Sequence, residues 1–322
     1  MGQSLHRLTM DNDGVAIDLV TGAFGFTGSR IAERLLEQGR EVRTLTRRRA
    51  GSHPLSARLR AEAPRFDDPT ALRHQLDGVE RLFVTYWMRF PRGGATWQAM
   101  VDNISRLVEA ARDAGVSRIV YVSVSNAAAD SSTAYFRAKA AAEQKVRAGG
   151  APYAIVRPTL LYGEGDILLN NMAWSLRRLP VFGIPGDGGY RVQPVHVDDV
   201  AELCLELADS AAEVETDACG PEVFTFNDLV RTVGAAVGSR ARLVHLPVPV
   251  VLATTTVIGW LVRDVVLTGD EIRELMESLL VSRQADVQPR PTRLSDWVVQ
   301  RGETLGRRYS SELGRNFRFE RA

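Results

Sequence analysis

Cysteine is nearly missing: the 322 residues include only Cys204 and Cys219. Two thiols are too few for a disulfide framework or a thiolate metal site. Cys204 falls within an apolar helical pattern, where a buried structural thiol is expected, and a reducing cytoplasm is the expected compartment. An excess of one charge is also missing. With a formal net charge of +1 and arginines scattered rather than gathered on one stripe, the chain has no overall field to attract nucleic acid, and none is expected as a partner. The longest apolar stretch, 248–262, is interrupted by Pro249, Thr254 to Thr256 and Gly259. It is shorter than the ~20 residues that cross a bilayer, so no transmembrane segment is expected. It reads as a buried or interface helix, with membrane contact as the alternative. Residues 1–14 are polar, carry Asp11, Asn12 and Asp13, and lack the apolar centre of a secretory signal; they read as a tail. There is no internal repeat.

What is present is a core-forming composition, 45% hydrophobic and 25% charged, enough for one or two domains. Its most informative stretch is Gly22-Ala23-Phe24-Gly25-Phe26-Thr27-Gly28, which follows the apolar run Val15 to Val20 and precedes a helical pattern through Ile31, Ala32, Leu35 and Leu36. Strand, glycine turn and helix follow in that order. Glycines at 22, 25 and 28 allow a tight turn, close approach of backbone to a diphosphate, and packing of helix on strand. The helix N-terminus supplies free amides and a positive dipole. Gly22, Phe24, Gly25, Phe26 and Thr27 are therefore candidate cofactor contacts.

A second strand, Glu41 to Thr46, ends in Arg47-Arg48-Arg49. Where an NAD site places an acidic residue against the ribose 2′-hydroxyl, arginine suits a 2′-phosphate through charge-assisted hydrogen bonds. Arg47 foremost, then Arg48, thus favour NADP(H) over NAD(H), with Arg49 facing water. Asp67-Asp68-Pro69 opens the next helix. The strand over Arg81 to Trp87 then places Thr85, Tyr86 and Trp87 at a carboxyl end, where ligands of such sheets bind; packing under a loop remains the alternative for Trp87. A helix over 101–114 and a strand over 117–123 continue an alternation that predicts an α/β fold with a doubly wound parallel sheet.

A helix beginning near Ala134 carries Tyr135 and Lys139, four residues apart and so on one face. A lysine ammonium beside a phenol lowers the phenol pKa and prepares it to exchange a proton with a carbonyl oxygen. A further strand, Tyr153 to Val156, runs into Arg157-Pro158 and Tyr162-Gly163, and Pro180 to Gly189 is rich in proline and glycine. His196 precedes Asp198-Asp199 at a helix start, where carboxylates satisfying free amides explain the pattern better than metal binding, and no metal is assigned. From about Ala235 the chain reads as largely helical, with a short strand near Arg242 to Leu246.

The glycine turn, the Tyr135–Lys139 pair, Arg157-Pro158 with Tyr162-Gly163, and His196-Val197-Asp198-Asp199 together resemble the short-chain dehydrogenase/reductase superfamily. The resemblance lies nearest its extended and atypical branch, among NmrA-like and complex I accessory-subunit-like NAD(P)H-binding proteins, over about residues 15 to 235. It implies a Rossmann domain (15–162 and 190–235) with a smaller, mainly helical substrate or partner domain (163–189 and 236–322). It also implies Lys139 on the nicotinamide ribose, Tyr135 as acid/base, Val122 and Pro158 lining the cofactor, and a serine positioning the substrate carbonyl. Ser123 is the candidate, but Ser123-Val124-Ser125 interrupts the adjacent hydroxyl pair of extended members, so either hydroxyl, or neither, serves. The expected activity is NADP(H)-preferring hydride transfer to or from a carbonyl, alcohol or quinone-like small molecule. The alternatives are a non-catalytic NAD(P)H-binding sensor or accessory subunit and, against the Arg47 signal, a nucleotide-sugar epimerase or dehydratase. A homo-oligomer or a protein partner stays open.

Overall fold

The computed structural model describes residues 16–48, 51 and 53–316. The tail expected over 1–14 and the water-facing role of Arg49 lie outside the described residues. The first half of the chain forms β1 (Ile17–Thr21), α1 (Phe26–Glu37), β2 (Glu41–Leu45), β3 (Arg60–Glu62), α2 (Pro69–His74), β4 (Val79–Val84), α3 (Trp97–Asp113), β5 (Arg118–Val122), α4 (Ala134–Ala148) and β6 (Tyr153–Pro158). The second half forms β7 (Leu160–Tyr162), α5 (Leu168–Arg178), β8 (Val181–Pro185), β9 (Arg191–Val192), β10 (Pro194–His196), α6 (Val197–Ala208) and β11 (Val214–Ala218), then β12 (Phe224–Thr225), α7 (Phe226–Ala236), β13 (Arg242–Leu246), α8 (Val248–Val262), α9 (Gly269–Met276), α10 (Leu294–Arg301) and α11 (Glu312–Asn316).

Seven strands make one sheet in the order β11-β6-β5-β4-β1-β2-β3, and every pairing in it is parallel. From β1 the chain runs outward through β2 and β3, then returns to the other side of β1 as β4. The strand order thus reverses between β1 and β4, and the crevice outside their carboxyl ends is where this architecture binds ligands. Strands buried on both faces need helices on both sides. Leu72, Ile104, Leu107, Ala142 and Val146 of α2, α3 and α4 cover one face, while Ile31, Leu35, Val200 and Cys204 of α1 and α6 cover the other. Burial pushes the Cys204 thiol up to about 12, so it stays a neutral packing group.

Asp18 in β1 is fully buried and is held by both Arg40 and Arg81 through hydrogen bonds of 2.7–2.8 Å. Desolvating these three charges offsets much of their attraction, so the cluster adds little net stability.

A third cluster joins Leu169 and Leu176 of α5, Ile184 of β8, Phe226, Leu229 and Val233 of α7, and Leu294 and Val298 of α10. The proline- and glycine-rich segment 180–189 is not all loop, since it contains β8, which pairs in parallel with β13.

Two other expectations are corrected. The strand expected to reach Trp87 stops at Val84, because Thr21 Oγ1 accepts the amides of Thr85 and Tyr86 at 2.9 and 3.0 Å and draws the chain out of the sheet. Of the readings of the apolar stretch 248–262, only the buried helix is overturned: the helix buries only Val251 and Gly259 and lies on the surface.

Candidate active site

The glycine turn between β1 and α1 is tight for reasons the coordinates make explicit. Gly22 adopts φ +70°, a left-handed conformation that costs glycine little. A Cβ on Gly28 would lie 2.5 Å from the Gly22 carbonyl oxygen and 2.9 Å from Thr85 Oγ1. Helix α1 has Gly25 as its N-cap with no side-chain cap, and its first intrahelical bond is Ser29 N–H to Gly25 O at 3.1 Å. The amides of Phe26, Thr27 and Gly28 therefore have no partner within the helix, and they sit at the positive end of a 12-residue helix beside the crevice. An uncapped helix start over a glycine-paced turn fits a dinucleotide diphosphate.

Around this turn, Thr85 is a support: its hydroxyl donates to Thr21 O at 2.5 Å and packs beneath Gly28. Phe24 is buried, and its carbonyl accepts from Arg48 Nη1. Arg47 is exposed at the end of β2 and lies within electrostatic reach of the Tyr86 phenol across the crevice mouth. Tyr86 OH accepts from Asn103 Nδ2 at 3.1 Å.

At the other end of the crevice, Lys139 is buried. Its Nζ donates to the Val122 carbonyl at 2.9 Å and lies 4.3 Å from the centre of the Trp87 ring. The carbonyl and the ring favour the ammonium, yet burial dominates and brings the amine down to about 7, with Glu143 opposing the shift. Ser123, next to that carbonyl, is buried, and among the described residues its hydroxyl has no hydrogen-bond partner. Ser125 is different: its hydroxyl donates to Leu279 O at 3.0 Å and anchors the segment after α9. The valine between them puts the two hydroxyls in different roles. Pro158 closes β6, its carbonyl accepting from the Ser125 amide at 2.9 Å.

Tyr135 departs from its expected setting. Its ring is edge-on to both Trp87 and Trp97, which stack on each other with centroids 5.8 Å apart. Trp87 thus touches both Tyr135 and Lys139. Rather than being lowered by the ammonium, the Tyr135 phenol is pushed well above its ordinary value by burial, then by the carboxylates of Glu274 and Glu271, with Arg89 opposing. A helical spacing of four brings two residues to one face, but it does not prevent a third side chain from contacting both.

His196 caps α6 itself, its Nδ1 accepting from the Asp198 amide at 3.3 Å. Asp199 instead accepts from the amide and hydroxyl of Thr292 at 3.0 and 2.8 Å.

The structure adds residues that no local pattern marks. Arg89, in the loop after β4, bonds Glu271 of α9 and reaches Glu312 of α11 at 3.4 Å, fastening both C-terminal helices to the loop that carries Trp87. Arg315 donates to Gly165 O and is near enough to Arg48 for its charge to add to the burial that lowers the Arg48 guanidinium. These contacts join residues more than a hundred positions apart, which leaves no periodic trace in the sequence.

Comparison with known proteins bears on the family and the fold. Ceramide reductase of Caulobacter vibrioides is 29% identical over 248 residues, covering 76% of this chain and 77% of that protein. The 2-alkyl-3-oxoalkanoate reductase of Stenotrophomonas maltophilia is 29% identical over 258 residues, covering 69% and 76%. The mitochondrial NADH dehydrogenase [ubiquinone] 1 alpha subcomplex subunit 9 of Arabidopsis thaliana is 28% identical over 201 residues, and the chain spans only 50% of its length. Among solved structures, triphenylmethane reductase of Citrobacter sp. shares the fold at TM-score 0.66 with 17% identity, covering 89% of this chain and 99% of that one. The profile described as NAD(P)H-binding matches residues 22–211, from the glycine turn to beyond α6. With its parallel sheet, glycine turn and reductase relatives, the chain belongs to the NAD(P)H-binding family of Rossmann-type, short-chain dehydrogenase/reductase-like proteins.

Proposed function

We propose that this protein is an NADP(H)-preferring oxidoreductase that reduces a carbonyl or quinone-like small molecule, or oxidises the corresponding alcohol. The single observation that carries the proposal is the buried Ser123 hydroxyl, without a partner among the described residues, beside the carbonyl that holds Lys139. A hydroxyl left in that state at a strand end is suited to a substrate oxygen. When bound, the nicotinamide supplies or accepts the hydride. The α1 amides would hold the diphosphate, Arg47 would hold the 2′-phosphate, Lys139 the nicotinamide ribose, and Ser123 would orient the carbonyl. Tyr135, the only phenol on this face of α4, passes the proton once Trp87 has moved off its edge. The substrate side comprises 163–189 and 236–322, and α7 is included because it packs with α5 and α10. Two reductase relatives at 29% identity support carbonyl chemistry.

Tyr135→Phe is expected to lower kcat at least about a hundredfold while NADP(H) binding measured by calorimetry stays within about twofold. Unchanged turnover would remove the proton role. Arg47→Ala is expected to weaken NADPH about tenfold and NADH hardly at all, since only the 2′-phosphate loses a charge-assisted contact. Equal losses for both nucleotides would reject the NADP(H) preference.

A second reading, a nucleotide-binding accessory protein, is favoured by one observation: the raised Tyr135 phenol, touched by Trp87 rather than by the Lys139 ammonium. Tight NADP(H) binding with no turnover across a panel of carbonyl and quinone substrates would select it.

A further inference from the structure

Helix α8 has 15 residues and no charged side chain. Its outward positions Val250, Ala253, Thr254, Val257, Trp260 and Leu261 recur at helical spacing and form one stripe. Val257 is 55% exposed, Trp260 79% and Leu261 81%. A helix apolar on every side belongs in a core or against lipid, and the fold does not bury this one. Its polar groups are already satisfied internally: Thr254 Oγ1 donates to Val250 O at 2.8 Å, Thr255 Oγ1 to Val251 O at 3.0 Å and Thr256 Oγ1 to Leu252 O at 2.7 Å. With its hydroxyl bonded back to the helix, Thr254 adds little unmet polarity to the stripe.

The surroundings are cationic at the end that bears Trp260. Arg263 follows the helix and is exposed. Tyr309 OH bonds Asp264 at 2.9 Å, which brings exposed Arg307 and Arg308 to the same end, and Arg178 holds that chain by donating to Gly306 O and Arg307 O. The nearby carboxylates are engaged: Asp264 is buried and accepts the Glu312 and Leu313 amides at 2.8 Å, and Asp270 lies 3.9 Å from Arg273.

We infer that the outward stripe of α8 docks on an anionic lipid bilayer, lying in its interface with Trp260 at headgroup depth and the arginines on lipid phosphates. At 1.5 Å per residue the helix is about 22 Å long, short of the ~30 Å hydrocarbon core, so it lies on the membrane and does not span it. Tryptophan beside arginine at a helix end matches the membrane interface. Apart from Trp260, the stripe consists of valine, alanine, threonine and leucine, residue types under-represented among the anchors of protein interfaces.

The purified full chain is mixed with sucrose-loaded vesicles of phosphatidylcholine, alone or with phosphatidylglycerol, and sedimented. Expected is co-sedimentation with the phosphatidylglycerol vesicles that falls about tenfold in the double variant Trp260→Ser/Leu261→Ser. It should also fall with Arg263→Glu, and should be unchanged in Val299→Ser, which alters an exposed apolar residue on α10. Calorimetric NADP(H) binding should be the same in all variants, so this test and that of the cofactor reading fail independently. No sedimentation with either vesicle, equal sedimentation of the double variant, or self-association in solution that the double variant abolishes without any vesicle binding would each overturn the inference.

Discussion

Gly28→Ala is expected to abolish NADP(H) binding, with a loss of at least about a hundredfold, and to lower stability by about 2–4 kcal/mol. The added methyl would lie 2.5 Å from the Gly22 carbonyl oxygen, 2.9 Å from its carbonyl carbon and 2.9 Å from Thr85 Oγ1. Two of these are backbone atoms, and the third hydroxyl is fixed by its bond to Thr21 O. None can yield by rotating, so α1 must move away from β1, and the three amides facing the crevice move with it. Gly39→Ala is the control. It introduces a methyl into open space at φ +77°, so it should cost about 1 kcal/mol of backbone strain and leave binding intact. Calorimetry and thermal melting of both variants check the pair. Retained binding in Gly28→Ala would remove the turn from the site.

Lys139→Met is expected to separate stability from function. The amine drops from 10.5 to about 7 on folding, chiefly through burial. Below pH 7 it is charged in both native and unfolded chains, and the full cost of burying an ammonium is present. Between pH 7 and 10.5 the native chain has released a proton that the unfolded chain retains. Stability contributed by this residue therefore rises with pH across that window. Methionine fills similar volume without charge. The variant should thus be more stable than the wild type at pH 6, with an advantage that shrinks by about 2–3 kcal/mol at pH 9. Taking the difference between the two proteins cancels other titrations, such as that of Glu274, which burial raises to about 7. Turnover should fall below detection if Lys139 holds the nicotinamide ribose as proposed. Denaturant melts at the two pH values check the sign; an advantage that stays the same at both would mean that Lys139 remains a charged ammonium in the native chain up to pH 9.

Much of this fold is legible one segment at a time. β1, β5 and β6 stand out as apolar runs and β2 by its alternation, and the glycines mark the turn after β1, where Gly22 takes a left-handed φ and Gly28 has no room for a Cβ. The short edge strand β3 shows no such pattern, since its residues are mostly exposed. The site is only half legible. Lys139 and Ser123 are singled out as candidates by spacing and resemblance. That Ser125 bonds Leu279, while the buried Ser123 hydroxyl has no partner among the described residues, depends on a segment some 150 residues away.

The same division runs through the whole molecule. Local sequence determined the alternation of strand and helix, the glycine turn, the arginines after β2 and the uncharged character of 248–262, because backbone sterics and side-chain periodicity act over a few residues. Tertiary structure alone decided that Trp87 contacts both Tyr135 and Lys139, that Arg89 binds α9 and α11 to one loop, and that an apolar helix ends at the surface. Those outcomes depend on packing between distant segments, where competition for the same space, not the preference of any one residue, determines which contact forms.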